Sequence, residues 1–358
     1  MLIQPDHKLL QYSGRIDFDN PKAPVFIYPS SYVKMNFTSN TLKVVVENHR
    51  DCWNNYLGYF LDGEQGRILL PEKGRAEIEI PIPNKKVAHE LLLFKRQDSC
   101  HIFNFYGFII DDAGCLYKLA KKPERRIEVY GDSVSAGEVS EAVSYVGKED
   151  PEHNGQYSNS WYSYSWMTAR KLNAQLHNVS QGGIALLEKT GWFGQPEYIG
   201  LEDTYDKIEY NPALSELKPW DFSLYRPHVV IVAIGQNDSH PVDYMAEEPE
   251  GEKAKNWKEH YKSFLEALRE KYPEALIITA TTILCHDSAW DDAIEEVCQS
   301  IGDSKLHHFL YTRNGCGTPG HIRIPEADEM SDELSAYIES FGEAIWEDEI
   351  VKEAIKEA

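Results

Sequence analysis

The sequence has few cysteines, few positive charges and no long hydrophobic segment, and each shortage excludes a class of protein. Its six cysteines are scattered without a Cys-x-x-Cys pair, which argues against a zinc ribbon and, in a chain of 358 residues, against a disulfide framework. Lysine and arginine together number 36 against 58 acidic residues. The resulting formal net charge of −22 opposes binding to nucleic acid or to an anionic membrane surface.

The densest apolar stretches are also too short for a membrane protein. The longest, residues 229–234 and 275–285, fall well below the roughly 18 residues that a spanning helix needs. The segment that begins at Met1 has neither the basic region nor the continuous apolar region of a signal peptide. We therefore predict a cytoplasmic protein with no membrane partner, and no pattern in the sequence indicates an oligomeric state.

The first third of the chain reads as short strands separated by turn residues. Many of these segments alternate apolar and polar residues, which is the period of a half-buried strand. No long helical period interrupts them, so we predict a β-sandwich of jelly-roll type over residues 1–120. The candidate strands are residues 24–28, 32–37, 42–47, 57–61, 67–70, 76–80, 89–95 and 103–110.

After a basic linker at residues 121–126, compact apolar runs alternate with helical stretches. Residues 127–130, 229–234 and 276–282 have the continuous apolar character of strands that are covered on both faces. Amphipathic helix spacing marks the segments between and after them, at residues 160–172, 257–271 and 325–341. The pattern predicts an α/β domain over residues 121–358, with a parallel sheet between two helical layers.

Four short polar segments in this second domain hold residue types that nucleophilic catalysis uses. The strand at residues 127–130 leads into a Gly-Asp-Ser that ends at Ser133, which places a hydroxyl where parallel sheets bind ligands. Asn237 follows the next such strand, and its amide can serve as an oxyanion donor or bond to its own turn. Gly183 belongs to a glycine pair that either leaves a backbone N–H free for a ligand or only makes the loop flexible. His321 is either a solvated loop residue or, being the best placed of the histidines, a general base for the serine.

The order and spacing of these segments resemble the SGNH hydrolase superfamily, also called GDSL esterases, over residues 126–345. The resemblance implies a three-layer α/β/α fold and an acyl-enzyme mechanism. In that mechanism Ser133 is the nucleophile and His321 the base. The oxyanion hole consists of the backbone N–H groups of Ser133 and Gly183 with the Asn237 amide, and no metal or organic cofactor takes part.

The N-terminal half resembles one particular branch of these enzymes. A sandwich that carries Tyr-Phe-Leu-Asp-Gly at residues 59–63, Leu-Leu-Leu-Phe-Lys-Arg at 91–96 and Gly-Phe-Ile-Ile-Asp at 107–111 is similar to carbohydrate esterase family two. That resemblance implies removal of O-acetyl groups from plant polysaccharides of the xylan and glucomannan type. With a cytoplasmic location, the expected partner is an acetylated oligosaccharide.

The segment before His321 departs from the SGNH pattern, because the acid that usually stands two or three residues earlier is missing. Residues 313–317 contain no carboxylate either. We therefore predict a serine–histidine dyad in which a backbone carbonyl of residues 316–318 holds the imidazole Nδ1–H. The alternative is a carboxylate from elsewhere in the fold, such as Asp132 or Glu326.

Sugar rings stack on aromatic side chains, and the tryptophans are the candidates for such a platform. Trp290 is the first choice, because it follows the strand predicted at residues 276–282 and should therefore lie in a loop at the active edge. Trp192 and Trp220 are weaker choices, since most aromatic residues serve cores.

Other functions also fit the motifs. The same residues could serve a lipase or thioesterase for long acyl chains, or an acyltransferase. A carbohydrate-binding protein with a vestigial hydrolase domain is a third alternative.

Overall fold

The computed structural model describes residues 1–82 and 88–348. Up to residue 117 the described residues form strands that pair only in antiparallel fashion. In chain order they are β1 (Leu2–Ile3), β2 (Gln11–Ser13), β3 (Ile16–Asp17), β4 (Val25–Phe26), β5 (Tyr32–Thr38), β6 (Leu42–Arg50), β7 (Tyr56–Leu61), β8 (Glu64–Leu69), β9 (Lys73–Glu79), β10 (His89–Lys95), β11 (His101–Ile110) and β12 (Cys115–Tyr117).

These strands form two sheets that enclose one hydrophobic core. The first sheet has the order β3-β4-β11-β6-β9 with β1 beside β11, and the second has the order β12-β5-β10-β7-β8 with β2 beside β5. Alternate residues of both sheets, such as Met35 on β5 and Val44 on β6, are fully buried between them. Eight strands match the predicted segments, whereas β1, β2, β3 and β12 have only two or three residues and are too short to show a period.

The second part of the chain alternates strands and helices. Its strands are β13 (Arg125–Gly131), β14 (Ala174–Ser180), β15 (Lys207–Glu209), β16 (Lys218–Pro219), β17 (Val229–Ala233), β18 (Leu276–Thr279) and β19 (Leu306–His308). Its α-helices are α1 (Ser133–Ala136), α2 (Tyr164–Lys171), α3 (Tyr244–Glu247), α4 (Glu252–Lys271), α5 (Ala289–Ile301) and α6 (Ile324–Glu339). Among the described residues, none of the helices combines the length and apolar character that crossing a membrane requires.

Five of these strands form a parallel sheet in the order β14-β13-β17-β18-β19. Helices cover both of its faces, as the continuous apolar strands predict. Val229 and Ile231 of β17 point into the core shared with α2 and α6, while Val230 and Val232 point into the core shared with α4 and α5. The predicted domain boundary at residues 120–121 falls between β12 and β13 and stays a prediction, as does the jelly-roll connectivity of the sandwich.

Two predicted elements end earlier than their apolar pattern suggests. The strand predicted at residues 276–282 stops at Thr279, because the chain then turns so that the Thr281 hydroxyl donates to Asp291 and the Thr282 hydroxyl to Gln236. The helix predicted at residues 160–172 is divided at Ser163, whose extended backbone and hydroxyl cap the start of α2. In both places a local side-chain hydrogen bond competes with the regular structure.

A buried ion pair joins the sandwich to the parallel sheet. Arg15, between β2 and β3, lies 3.0 Å from the carboxylate of Glu128 on β13, and both side chains are fully buried. The guanidinium also donates to the hydroxyl of Tyr130 and to the carbonyl of Tyr205. Each charge therefore has several partners, which a buried pair needs in order to be tolerated. The contact ties the segment between β2 and β3 to β13 of the parallel sheet.

Candidate active site

The four predicted site residues Ser133, Gly183, Asn237 and His321 lie together at the carboxyl edge of the parallel sheet. They line one cleft of about 1110 Å³. The sandwich supplies the opposite wall through Asp51, Cys52 and Trp53, which follow β6, and through Asp98, Ser99 and Cys100, which follow β10. The cleft therefore contains residues from both halves of the chain.

Ser133 is the first residue of α1, directly after β13. The preceding Asp132 has extended backbone angles, and its carboxylate accepts the N–H of Val134, so the chain turns sharply from strand to helix. The turn projects the Ser133 side chain into the cleft instead of the core. Its hydroxyl has no hydrogen-bond partner within the described residues and is available to a substrate.

The Gly183 loop follows β14 and depends on the sandwich for its position. The backbone of Gly183 has a φ of +73°, and a Cβ there would lie 2.8 Å from the Cβ of Trp192, so glycine is required. Asp98 of the sandwich accepts hydrogen bonds from the Gly182 N–H at 2.5 Å and from the Gln181 amide at 2.8 Å. Within the described chain the Gly183 N–H itself has no acceptor, which suits an oxyanion donor. Sequence patterns carry no sign of the role of Asp98.

Asn237 lies in a short 3-10 turn after β17, with its side-chain amide beside the cleft. One amide hydrogen is held by the carbonyl of Ile184 at 3.0 Å, and the carboxylate of Asp132 is more distant at 3.4 Å. The neighbouring Asp238 accepts the backbone N–H groups of Leu186 and Leu187 and thereby ties this turn to the Gly183 loop. The amide is thus oriented in advance, and its second hydrogen is only weakly held.

Replacing Asn237 with alanine is expected to lower kcat by about 10²–10³ with little change in KM, because an oxyanion donor binds most strongly to the transition state. Steady-state kinetics on a nitrophenyl acetate would measure both constants. A loss seen mainly in KM would instead assign the amide to ground-state binding.

A carboxylate holds the imidazole of His321, and the predicted serine–histidine dyad is therefore wrong. Asp150 Oδ2 lies 2.5 Å from His321 Nδ1, and Asp150 Oδ1 accepts the backbone N–H of His321 at 2.9 Å. The Arg323 guanidinium, fully buried, donates to the same Asp150 Oδ1 at 2.8 Å. Asp150 therefore takes the orienting position of the third member of a catalytic triad.

Neither the predicted carbonyls nor the alternative carboxylates occupy that position. The carbonyl of Gly317 accepts from Arg313, and that of Thr318 accepts the N–H of Cys285. Glu326 instead accepts the N–H groups of Gly147 and Arg323. It thereby fixes the segment that carries the acid but does not contact the ring. Asp150 stands 171 residues before the histidine, in a stretch without regular period, so sequence spacing offers no signal for it.

The electrostatics of the cleft favour the protonated form of His321. Burial alone would lower the pKa of His321, but the carboxylates of Glu138, Asp150 and Asp132 outweigh it and raise that pKa to about 8. Burial works against the charge of Asp150, yet its hydrogen bond with His321 and the Arg323 charge hold its pKa well below the usual range. Burial also raises the pKa of Asp132 to about 6 and that of Glu138 to about 7.

A general base must be neutral, so we expect kcat/KM to rise with pH and to reach its plateau only above about pH 8. Below that value the His321 ring carries a proton, and activity should fall by about tenfold per pH unit. Removing a facing negative charge, as in Glu138→Gln, should lower the pKa and move this limb to lower pH. A pH profile of kcat/KM for both proteins tests the assignment, and an unshifted limb in the variant would contradict it.

The prediction that Trp290 binds sugar is wrong, because its ring is buried. Trp290 lies on α5, not in a loop, where it packs against Trp257 and Tyr244 and donates its ring N–H to Asp243 at 3.0 Å. Trp220 is also buried. Trp192, in contrast, is 53% exposed, lines the cleft and stacks on His240 with ring centroids 3.4 Å apart.

A nucleophilic hydroxyl, a histidine held by a carboxylate and free N–H donors are what acyl transfer from an ester requires. Within residues 1–82 and 88–348, no cluster of three or more histidine, cysteine, aspartate or glutamate side chains could hold a metal ion. The parallel sheet with these groups at its carboxyl edge defines a carboxylic ester hydrolase of the SGNH type.

Comparison with known proteins identifies the family. The family described as "Carbohydrate esterase 2 N-terminal" matches residues 12–119. An "Acetylxylan esterase / glucomannan deacetylase" from Cellvibrio japonicus is 33% identical over 332 residues, which cover 91% of this chain and 87% of that protein. The chain therefore belongs to carbohydrate esterase family two.

Two further relatives agree with this assignment. The "Cellulase/esterase CelE" of Acetivibrio thermocellus is 27% identical over 94% of this chain, which spans only 40% of the length of CelE. A structure of a family two carbohydrate esterase from Clostridium thermocellum in complex with cellohexaose superposes with a TM-score of 0.78 at 25% identity. The superposition covers 94% of this chain and the whole of the Clostridium thermocellum chain.

Proposed function

We propose that this protein removes O-acetyl groups from acetylated oligosaccharides of the xylan and glucomannan type. The observation that carries the proposal is the placement of Ser133 and the His321–Asp150 pair in one cleft between the sandwich and the parallel sheet. A relative named for acetylxylan and glucomannan deacetylation, 33% identical along most of both chains, supports the same substrate class.

In the proposed acylation step, His321 Nε2 takes the proton of the Ser133 hydroxyl as Oγ attacks the acetyl carbonyl carbon. The oxyanion that forms accepts hydrogen bonds from the N–H groups of Ser133 and Gly183 and from the Asn237 amide. Asp150 stabilises the imidazolium, which then protonates the departing sugar oxygen. The acetyl group remains on Ser133 until water attacks it and restores the free hydroxyl.

The decisive experiment follows acetylated manno- and xylo-oligosaccharides by NMR before and after treatment with the protein. Loss of sugar acetyl signals with appearance of free acetate is the expected result, and the signals that vanish identify the sugar and the hydroxyl position. A Ser133→Ala protein treated in parallel controls for spontaneous hydrolysis. Intact acetyl signals after prolonged treatment with the wild-type protein would refute the proposal.

Carboxylates and apolar side chains both line this cleft. Asp51, Asp98, Glu138 and Glu197 contribute to its walls, together with apolar residues such as Phe193, so the preferred length of the acyl chain has to be measured. Comparing acetyl with octanoyl nitrophenyl esters separates the two functions, and a preference for octanoyl would favour the lipase. Adding an alcohol acceptor and measuring ester formation tests the acyltransferase alternative.

The cytoplasmic location stays part of the proposal, and with it the expectation that oligosaccharides are the substrate instead of intact polymer. Assaying cell lysate and culture supernatant for the esterase tests it. Activity confined to the supernatant would contradict the location without affecting the chemistry.

A further inference from the structure

Glu138 is a carboxylate in the cleft that the mechanism described above does not use. It follows α1 after Gly137, and its backbone N–H donates to the carbonyl of Ser133 at 3.0 Å, so its position is tied to the nucleophile turn. Its side chain is only 11% exposed and lines the cleft. Among the described residues it has no hydrogen-bond donor, and its nearest charged neighbour is His321, whose Nε2 lies 3.9 Å from Glu138 Oε2.

The neighbouring carboxylates already have partners. Asp98, which faces Glu138 across Gly182, accepts the Gly182 N–H and the Gln181 amide. Glu141, three residues after Glu138, is paired with Arg96 at 2.6 Å. A shielded carboxylate without hydrogen bonds is costly, and such groups concentrate where a protein binds or transforms a ligand. Glu138 is therefore free to accept a hydrogen bond from a group bound inside the cleft.

The distance between Glu138 and His321 fits one bridging water. At 3.9 Å the two atoms are too far apart for a direct hydrogen bond, but one water oxygen can lie about 2.8 Å from both. The water that hydrolyses an acyl-enzyme must lie within hydrogen-bond reach of the base. Building on the proposed function, we propose that Glu138 positions the water that hydrolyses the acetyl group on Ser133.

In this step one hydrogen of the water passes as a proton to His321 Nε2 while its oxygen bonds to the acetyl carbonyl carbon. The carbonyl electron pair moves onto the oxyanion and returns as the bond to Ser133 Oγ breaks. Oγ takes the proton from Nε2, and acetic acid leaves with the second water hydrogen. Glu138 accepts a hydrogen bond from that second hydrogen during the attack.

The same contact is absent from acylation. In acylation the oxygen beside His321 belongs to the departing sugar. It is bonded to a sugar carbon and lacks the second hydrogen that a water molecule has, so Glu138 has no hydrogen bond to accept from it. The proposal therefore predicts an effect on one half of the reaction, which a merely structural role of Glu138 would not produce.

The experiment compares the wild-type protein with Glu138→Ala on the alkaline plateau of the pH profile, where the charge effect on His321 no longer matters. Rapid mixing with nitrophenyl acetate gives the acylation rate from nitrophenolate release. Mass spectrometry after removal of free ester follows the decay of acetyl-Ser133. We expect deacylation about 10- to 100-fold slower in the variant, with acylation nearly unchanged.

Two further variants sharpen the result. Glu138→Gln keeps the side-chain volume and an uncharged acceptor, so its deacylation rate should lie between those of the alanine variant and the wild type. Glu149→Ala removes an exposed carboxylate that does not line the cleft and should leave both rates unchanged. If Glu138→Ala fails to fold, the glutamine variant carries the comparison.

Equal slowing of both half-reactions, or unchanged decay of acetyl-Ser133, would overturn the role of Glu138. Failure of the proposed function has a different signature, because the acetyl signals of the oligosaccharides would then stay intact with the wild-type protein, whatever the two rates on nitrophenyl acetate. An added alcohol supplies a further readout. Its attack should not need Glu138, so the fraction of acetyl groups transferred to alcohol should rise in the alanine variant.

Discussion

Replacing Ser133 with alanine is expected to lower kcat for acetyl esters by about 10⁶, the loss typical when the nucleophile of a catalytic triad is removed. The hydroxyl is the one atom of this side chain that can form the acyl-enzyme. It lines the cleft and makes no hydrogen bond to the described residues, so its removal leaves the fold and the other site groups in place. Acetate release measures the loss, and thermal unfolding checks stability.

Ser135→Ala is the matched control for this experiment. Ser135 lies two residues further along α1, is buried and shares a hydrogen bond with the Tyr164 hydroxyl at 2.8 Å. Its replacement should lower stability by about 1–3 kcal/mol, because the buried Tyr164 hydroxyl loses its partner, while turnover persists. Undiminished acetate release by the Ser133→Ala protein would show that Ser133 is not the nucleophile.

Asp150→Asn is expected to lower kcat by about 10³–10⁴, because an amide can neither hold the reactive tautomer of His321 nor stabilise its imidazolium. Asp150 Oδ2 lies 2.5 Å from the ring, and its charge helps to raise the pKa of His321. Together with the drop in kcat, the acid limb of the pH profile should therefore move to lower pH.

The neighbouring Glu149 provides the control, since it is exposed and is not among the hydrogen-bond or ion-pair partners of His321 in the described chain. Glu149→Gln should retain full turnover and an unshifted pH profile. Because Asp150 also pairs with the buried Arg323, thermal unfolding of the Asn variant separates lost stability from lost catalysis. Wild-type turnover in Asp150→Asn would restore the dyad that the sequence predicts.

The main elements of the fold, and the four predicted site residues that lie together in the cleft, could be predicted from the sequence. Eight sandwich strands and the buried strands of the parallel sheet follow from the period of apolar residues, which reports which side of an element is covered. Ser133 and Asn237 follow strands β13 and β17, and parallel strands end at a common edge, so their proximity could be predicted from local pattern alone.

The local sequence pattern did not predict the position of Trp290. Its position depended on where the preceding strand ends, and that strand stops at Thr279 because threonine hydroxyls bond to Asp291 and Gln236. The loop that follows ends before Ala289, where α5 begins, so Trp290 lies on a helix and packs into the core. An aromatic residue in the sequence does not reveal whether its neighbours will be solvent or other side chains.

The sequence by itself determined the class of fold and the segments that hold Ser133, Gly183, Asn237 and His321, because each is a short segment whose pattern carries its own structure. Only the tertiary structure decided which carboxylates serve them. Asp150 reaches His321 across 171 residues, and Asp98 reaches the Gly183 loop from the sandwich. Glu138 Oε2 lies 3.9 Å from His321 Nε2, although the two residues are far apart in the sequence. Such pairings depend on how distant segments pass one another in space, and local periodicity carries no information about that path.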